Sequence, residues 1–336
     1  MHTAAIIGFG KMGKIRKGII DSLPDCYLKW VCDTVPQEGN FKFTEDPAVI
    51  FNDEQVDIVF ISTPNYLNKS LVIRGLDSKK HVFCEKPIGI STAEINEIMD
   101  AEKRNPACKL AVGFNHRKHP AVKVAKESVD SGQFGKILWM RGRYGKSYGP
   151  DFFRTWRAQK QYAGGGILMD QGIHMLDLFL TFCGDFEEVK AVCSDLYWHL
   201  DIEDNVFAIL RNSKGQVASI HSTMTQWRHL FSFEIFLERG CIIINGLVTP
   251  SGTYGKEELS IAENRTEPPQ AVWSEETRLT FSIDESFQEE VKDFIQCIAS
   301  DLPVTSGNSA DSLKVMRLIE RIYAEGGVAA GRQQLG

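Results

Sequence analysis

The chain has 336 residues, with 38 Lys plus Arg against 44 Asp plus Glu and a formal net charge of −6. That length predicts two domains. With 43% hydrophobic and 24% charged residues it has the composition of an ordinary folded protein, so global disorder is excluded. A net negative chain without long Lys/Arg runs is not built to bind phosphate backbones, and nucleic acid is not an expected partner. No window approaches the ~20 uninterrupted apolar residues that cross a bilayer, so no membrane partner is expected. The opening residues lack the charged region of a signal peptide. Eight scattered cysteines without a CxxC pair read as reduced thiols, and the expected location is cytoplasmic. No metal site is expected: His116 and His119 stand three apart, but no Cys or carboxylate lies at ligand spacing beside them.

Residues 1–118 alternate short apolar runs with amphipathic stretches. Strands are expected at Ala4–Gly8, Tyr27–Asp33, Val56–Ser62, His81–Cys84 and Leu110–Phe114, and helices at Lys11–Ser22, Tyr66–Asp77 and Thr92–Arg104. Such alternation predicts parallel strands with right-handed crossovers, a doubly wound α/β Rossmann domain. Residues 119–336 change rhythm. A helix over Ala121–Ser131 is followed by a run at Ile137–Tyr144, a basic and aromatic loop, and a glycine-led helix near Ile167–Phe182. Strands are then expected at Val189–Leu196, Asn205–Leu210, Val217–Thr225, Phe231–Leu237 and Cys241–Ile244. Two helices, Glu285–Ala299 and Ala310–Tyr323, are expected to pack back towards the first domain, and the last dozen residues to fray. The second domain is therefore α+β, with a large, mostly antiparallel open sheet for substrate binding and oligomerisation. Phe231, Phe233, Ile235 and Leu237 share one face of it. Unless helices cover that face it is an apolar patch fit for a homodimer or homotetramer.

Gly8-Phe9-Gly10-Lys11-Met12-Gly13 directly follows an apolar strand and opens a helix, the context that gives a GxGxxG motif meaning. Gly8 permits the turn, Gly10 the approach of a pyrophosphate, and Gly13 close packing of helix on strand. Asp33 lies 20 residues beyond Gly13, at the next strand's end, and is followed by Thr34 and Val35 with no Arg beside it. An acid there accepts from a ribose 2′-hydroxyl and repels a 2′-phosphate, so the expected cofactor is NAD rather than NADP.

Cys84-Glu85-Lys86-Pro87, after the strand at His81–Phe83, resembles the Glu-Lys-Pro motif of the glucose-fructose oxidoreductase/inositol dehydrogenase (Gfo/Idh/MocA) family. Ile61-Ser62-Thr63-Pro64-Asn65 resembles the loop that the family places beside the nicotinamide-side ribose. Gly113-Phe114-Asn115-His116-Arg117 resembles its domain-junction motif. The run from Gly164 through Ile167, Asp170 and Gly172 to His174 matches its GGG-x-L-x-D-x-G-x-H helix. The four motifs occur in the family's order across nearly the whole chain. The resemblance implies an NAD(P)-dependent oxidoreductase acting on a secondary alcohol, with Lys86, Asp170 and His174 as the catalytic group. It also implies a cis peptide before Pro87, and cofactor contacts from Ser62, Thr63, Pro64, Asn65, Glu85, Lys86 and Asn115.

The chemistry is consistent with these residue types. Oxidation of a carbinol requires loss of the hydroxyl proton as hydride leaves for nicotinamide. His174 suits acid/base work, and Lys86 suits donation to the reacting oxygen, with a share in proton transfer if burial lowers its pKa. Asp170, at i with His174 at i+4, either orients that imidazole or binds a second hydroxyl. Glu85 reads as structural or cofactor-contacting. The loop Tyr144–Tyr162, with Lys146, Tyr148, Arg154, Trp156, Arg157 and Lys160, is suited to a polyhydroxylated or anionic substrate, nucleotide-sugars included. Gln226-Trp227-Arg228-His229, between two strands, is a second substrate-side candidate. Arg117 either shapes the pocket or pairs structurally. The expected function is an NAD-dependent oxidoreductase of a sugar, cyclitol or nucleotide-sugar. The competing readings are an NADPH-dependent sugar-keto reductase, which Asp33 opposes, and a non-catalytic dinucleotide-binding regulator, which has no need of all three catalytic residues.

Overall fold

A computed structural model describes residues 1–263 and 275–327. They form two compact units: Met1–Asn115 with Phe287–Leu313, and His116–Ser286 with the segment from Lys314 onward. Most of the chain end expected to fray lies outside the described residues.

In the first unit, β1 (His2–Ile7) leads into α1 (Lys11–Ser22), β2 (Cys26–Cys32), β3 (Lys42–Thr44) and α2 (Pro47–Phe51). Then come β4 (Ile58–Ile61), α3 (Asn65–Asp77), β5 (His81–Glu85), α4 (Thr92–Arg104) and β6 (Leu110–Gly113). The six strands form one parallel sheet in the order β3-β2-β1-β4-β5-β6. All four residues of β4, Ile-Val-Phe-Ile, are buried, as a parallel strand covered on both faces requires. The order reverses between β1 and β4. Ligands of such sheets bind at this switch point, beyond the carboxyl ends of the strands. Gly8, Asp33, Ser62 and Lys86 all lie just past those ends.

The second unit opens with a 3-10 turn at Asn115–Lys118, whose first residue belongs to the first unit. It continues with α5 (Pro120–Asp130), β7 (Ile137–Ser147), two 3-10 turns at 150–158 and α6 (Lys160–Ala163). A π-helical turn at Leu168–Gly172 runs into α7 (Ile173–Cys183). Seven strands follow: β8 (Glu188–Ser194), β9 (Asn205–Arg211), β10 (Val217–Thr223), β11 (Thr225–Leu237), β12 (Gly240–Asn245), β13 (Glu257–Glu263) and β14 (Thr277–Phe281). With β7 they build an eight-stranded sheet in the order β14-β13-β12-β11-β7-β10-β9-β8, antiparallel except for the β7–β10 pair. The described chain closes with α8 (Ser286–Ala299), whose Val291 and Phe294 enter the first unit's core beside Phe60 and Phe83, and α9 (Ser309–Glu325).

Two expectations need correction. The face carrying Phe231, Phe233, Ile235 and Leu237 is not an exposed patch; each of these residues is at most 1% exposed. Phe179 and Phe182 of α7 pack on Phe233, and α7 is apolar on nearly every side, so it has to be buried against something. The open face is the opposite one, where Val192, Phe207, Ile209 and Trp139 are 64%, 51%, 59% and 36% exposed. Second, residues 226–229 do not lie between strands. They belong to β11, whose register against β7 shifts between Thr225 and Leu230 and leaves Trp227 on the surface.

Candidate active site

The glycine loop is shaped by contacts that only a hydrogen side chain allows. Gly8 has φ of +88°, and a Cβ there would lie 2.6 Å from the Ser62 carbonyl oxygen. A Cβ on Gly13 would lie 2.2 Å from the Gly8 carbonyl oxygen. Gly10 differs: nothing lies within 4 Å of its Cβ position, so a pyrophosphate has room to approach the backbone at the start of α1. The Asp33 carboxylate accepts from Phe9 N at 2.6 Å and Val35 N at 3.0 Å, which ties loop and acid together. Lys11 and Thr34 are exposed and Met12 is half-buried. Beside Gly8, the Ser62 hydroxyl is buried without a hydrogen-bond partner among the described residues. A cradle open at Gly10, an acid fixed at its rim and an unsatisfied hydroxyl behind it fit a dinucleotide.

The Glu-Lys-Pro loop is anchored from two sides. Thr63 Oγ1 donates to Asn68 Oδ1 (2.8 Å), and Asn68 Nδ2 donates to the Pro87 carbonyl (2.8 Å), linking the 62–65 loop to Lys86–Pro87. Pro64 caps α3, and Asn65 is buried in its first turn. The Lys86–Pro87 peptide is cis. Glu85 accepts from Arg16 Nε at 2.8 Å, and Arg16 Nη2 reaches Glu290 Oε1 at 2.6 Å. Arg16 is 0% exposed, and its guanidinium lies over the Phe83 ring. Burial opposes its charge, but the two carboxylates outweigh that and hold its pKa above the ordinary arginine value. Arg16 thus holds Glu85, the last residue of the strand preceding Lys86.

In the second unit the glycine-led motif is a packing device. A Cβ on Gly165 would strike the Tyr323 hydroxyl (2.1 Å), and one on Gly166 the Glu203 carbonyl oxygen (2.0 Å). Glu203 is 2% exposed and accepts from Gly166 N, Leu168 N and Tyr323 OH at 2.8, 3.0 and 2.9 Å. Burial pushes its pKa up, against these donors. It satisfies the orphan N–H groups where the helix begins. Asp170 and His174 consequently do not share a regular α-helix: Asp170 sits in the π turn and His174 in the first turn of α7. π turns of this kind recur at functional sites.

Asp170 accepts from Lys146 Nζ (2.9 Å), Tyr148 OH (2.5 Å) and Gln171 Nε2 (3.1 Å), with Arg157 Nε at 3.5 Å. Burial, and then the Asp170 charge, push the Tyr148 phenol well above its ordinary value. Arg157 lies over the Trp156 ring at 4.3 Å. Three residues of the Tyr144–Tyr162 stretch, Lys146, Tyr148 and Arg157, therefore converge on Asp170, while Arg154 is 88% exposed and stands apart. Arg117 forms a two-point ion pair with the fully buried Asp177 of α7 (Nε–Oδ2 2.8 Å), a structural commitment. Asn115 is 5% exposed.

The sequence reading gave His116, His119, Tyr144 and Glu257 no individual role beside His174. His174, 5% exposed, stacks on His116 with ring centroids 3.8 Å apart and planes 19° apart. His116 Nε2 is 2.8 Å from Tyr144 OH. The flanking His119 is bonded to the buried Glu257 at 2.8 Å. Among the described residues no group of three His, Cys, Asp or Glu is placed to hold a metal ion.

The described residues thus combine a doubly wound domain that has a dinucleotide-fitting cradle with a second unit whose π turn and α7 carry an acid and a histidine. Residues 3–114 match the oxidoreductase family described as an NAD-binding Rossmann fold, and residues 122–243 the GFO/IDH/MocA C-terminal domain. The chain belongs to the Gfo/Idh/MocA oxidoreductase family, and its first unit is an NAD-binding Rossmann domain. It is 29% identical over 260 residues to levoglucosan dehydrogenase of Pseudarthrobacter phenanthrenivorans, covering 69% of this chain and 65% of the relative. It is 27% identical over 260 residues to myo-inositol 2-dehydrogenase of Thermotoga maritima, covering 72% and 75%. The first of these matches spans just under two thirds of the relative's length. A solved levoglucosan dehydrogenase in complex with NADH superimposes with a TM-score of 0.83 at 26% identity, covering 97% of each chain. No helix among the described residues is long and apolar enough to cross a membrane.

Proposed function

We propose that this protein is an NAD-dependent dehydrogenase acting on a secondary alcohol of a sugar or cyclitol, with Lys86, Asp170 and His174 carrying the chemistry. The observation that carries the reading is the glycine-led π turn, which presents Asp170 to Lys146, Tyr148 and Arg157 four residues before a buried His174. The chemistry that a bound nicotinamide supplies is exchange of hydride with the carbinol carbon. The loop shaped by Gly8 and Gly13 would seat its pyrophosphate at Gly10, and Asp33 its adenosine ribose. His174 takes the hydroxyl proton as the carbonyl forms. Lys86 donates to the same oxygen and holds its developing charge. Asp170, with Lys146 and Tyr148 on its carboxylate, orders the polar wall around the substrate hydroxyls. The relatives named for levoglucosan and inositol support the substrate class.

A further reading concerns assembly. The exposed sheet face bearing Val192, Phe207 and Ile209 supports a homodimer or homotetramer formed through that face, and the scattered cysteines support a cytoplasmic setting.

The test is reduction of NAD⁺ or NADP⁺ by a panel of inositols, aldoses, sugar acids and nucleotide-sugars, alongside Lys86→Ala and His174→Gln. The expected result is turnover with NAD⁺ on one class, falling by about 10²–10⁴-fold in each variant. Tight NADH binding with no turnover on any substrate would favour a non-catalytic regulator. Turnover only with NADP⁺ would overturn the Asp33 assignment.

A further inference from the structure

We propose that His116 and Tyr144 are positioning residues for His174: the Tyr144 hydroxyl holds the His116 ring, and His116, stacked face to face on His174, fixes its plane and limits the pair to one proton. The inference rests on His174 being the acid/base group, and it gives a role to two residues that the sequence motifs contain but leave without one.

The geometry is specific. A stack at 3.8 Å and 19° leaves His174 little freedom to rotate about its ring bond. His116 is itself clamped, with Nε2 2.8 Å from Tyr144 OH and its ring edge against His119 and Phe231. His116 and Tyr144 are 5% and 3% exposed, so water does not compete for these positions. Burial pushes the Tyr144 phenol well above its ordinary value, helped by Tyr254 and the Asp170 charge, and it stays a neutral hydroxyl throughout the working range.

Two imidazoles this close and this buried repel strongly if both are protonated, so they titrate as a coupled pair. The carboxylates nearby hold other partners. Asp170 is engaged by Lys146 and Tyr148, and Asp177, one turn along α7, is paired with Arg117. Glu257 is taken by His119 and by Ala121 N, while Tyr254 and His229 meet each other edge to face. When His174 accepts the substrate's proton, a neutral His116 ring beneath it supports the new cation through its π face.

The experiment compares wild type with His116→Phe, which keeps a stacking ring without a titratable nitrogen, and Tyr144→Phe, which removes only the hydroxyl. Side-chain histidine resonances of the ¹⁵N-labelled apoprotein are followed across pH, and kcat and KM are measured on the best substrate. In wild type, the His116 and His174 signals are expected to titrate in two steps separated by more than about one unit. In His116→Phe, His174 is expected to titrate in one step at or above its wild-type midpoint, because a like charge has been removed. Both variants are expected to lower kcat by about tenfold while KM changes less than about twofold. A His174 titration that superimposes in wild type and His116→Phe overturns the proposal, as does an unchanged kcat in Tyr144→Phe. If His116→Phe does not fold, Tyr144→Phe decides alone. Full activity in His174→Gln would instead refute the assignment of His174, whereas the titration reports the coupling whatever the substrate.

Discussion

Arg16 gives the sharpest stability prediction, because a wholly buried cation is held between two carboxylates. Its side chain is 0% exposed, and those of Glu85 and Glu290 are 13% and 8% exposed. Arg16→Met preserves most of the volume and the contact with Phe83 but removes the buried cation that faces both acids. Breaking a buried ion pair from one side costs roughly 3–5 kcal/mol, since the orphaned charge stays desolvated. For a unit of this size that lowers the melting temperature by about 10 °C. Without the buried cation the two carboxylates favour their protonated forms more than in wild type, so their folded-state pKa rises. The stability so contributed is whole below about pH 4 and is lost as pH rises through the raised value. The melting deficit, read by calorimetry, should therefore widen from about pH 5 to about pH 8. Adding Glu85→Gln and Glu290→Gln should recover more than about half of it. An equal deficit at both pH values, with no recovery in the triple variant, would show that Arg16 acts through packing and that the charge argument is wrong.

Three further predictions concern the first unit. Gly10→Ala meets no atom within 4 Å, so its melting temperature should match wild type while NADH affinity, by fluorescence titration, falls about tenfold; Gly13→Ala, blocked by the Gly8 carbonyl at 2.2 Å, should lose both. Asp33→Ser should lower the NAD⁺-over-NADP⁺ ratio of kcat/KM by about 10-fold or more, as the acid no longer repels a 2′-phosphate. Asp53 is held at about 2 although burial works against it, because Lys29, Trp30 N–H and Gln55 N–H favour the carboxylate. Asp53→Asn should therefore cost about 1 kcal/mol at neutral pH, discounted for solvent screening. Chemical denaturation should show the two proteins converging as pH falls from about 4 to about 2, where the native acid takes up its proton.

What the sequence displays depends on how locally each feature is determined. Ile58-Val59-Phe60-Ile61 reads as a strand because a parallel strand buries both faces, and the run says so by itself. Gly8, Gly10, Gly13 and Asp33 are legible because loop, helix start and acid lie within one βαβ unit. Lys42–Thr44 and Pro47–Phe51 escape notice because three and five residues hold no period. Glu203 and Tyr323 are 37 and 157 residues from Gly166, and His116 is 28 from Tyr144, so only the folded chain shows that they touch. The inward face of β11 was misjudged for another reason. Alternation marks two faces but not which one is covered. The missing signal was α7 itself, whose Ile173–Phe182 stretch carries apolar residues all round and has to lie on a sheet.

On the proposed reading, the charges around Asp170 bear on which alcohols are preferred. Lys146 and Arg157 both lie within 4 Å of that one carboxylate, at 2.9 and 3.5 Å, so the cluster carries one positive charge in excess. Arg157 is held over Trp156, which presents its guanidinium as a flat fork suited to a carboxylate or phosphate. A substrate bearing an anion, such as a sugar acid or a nucleotide-sugar, would satisfy that excess; a neutral cyclitol would not. For an anionic substrate, kcat/KM should fall several-fold as ionic strength rises above roughly 0.1 M, where the Debye length drops to about 10 Å, and fall again by about tenfold in Arg157→Gln. A neutral polyol should show less than about a twofold change under either perturbation. If salt and Arg157→Gln affect neutral and acidic substrates alike, the excess charge serves only to hold Asp170 in place, and substrate choice lies with the hydroxyl-binding groups instead.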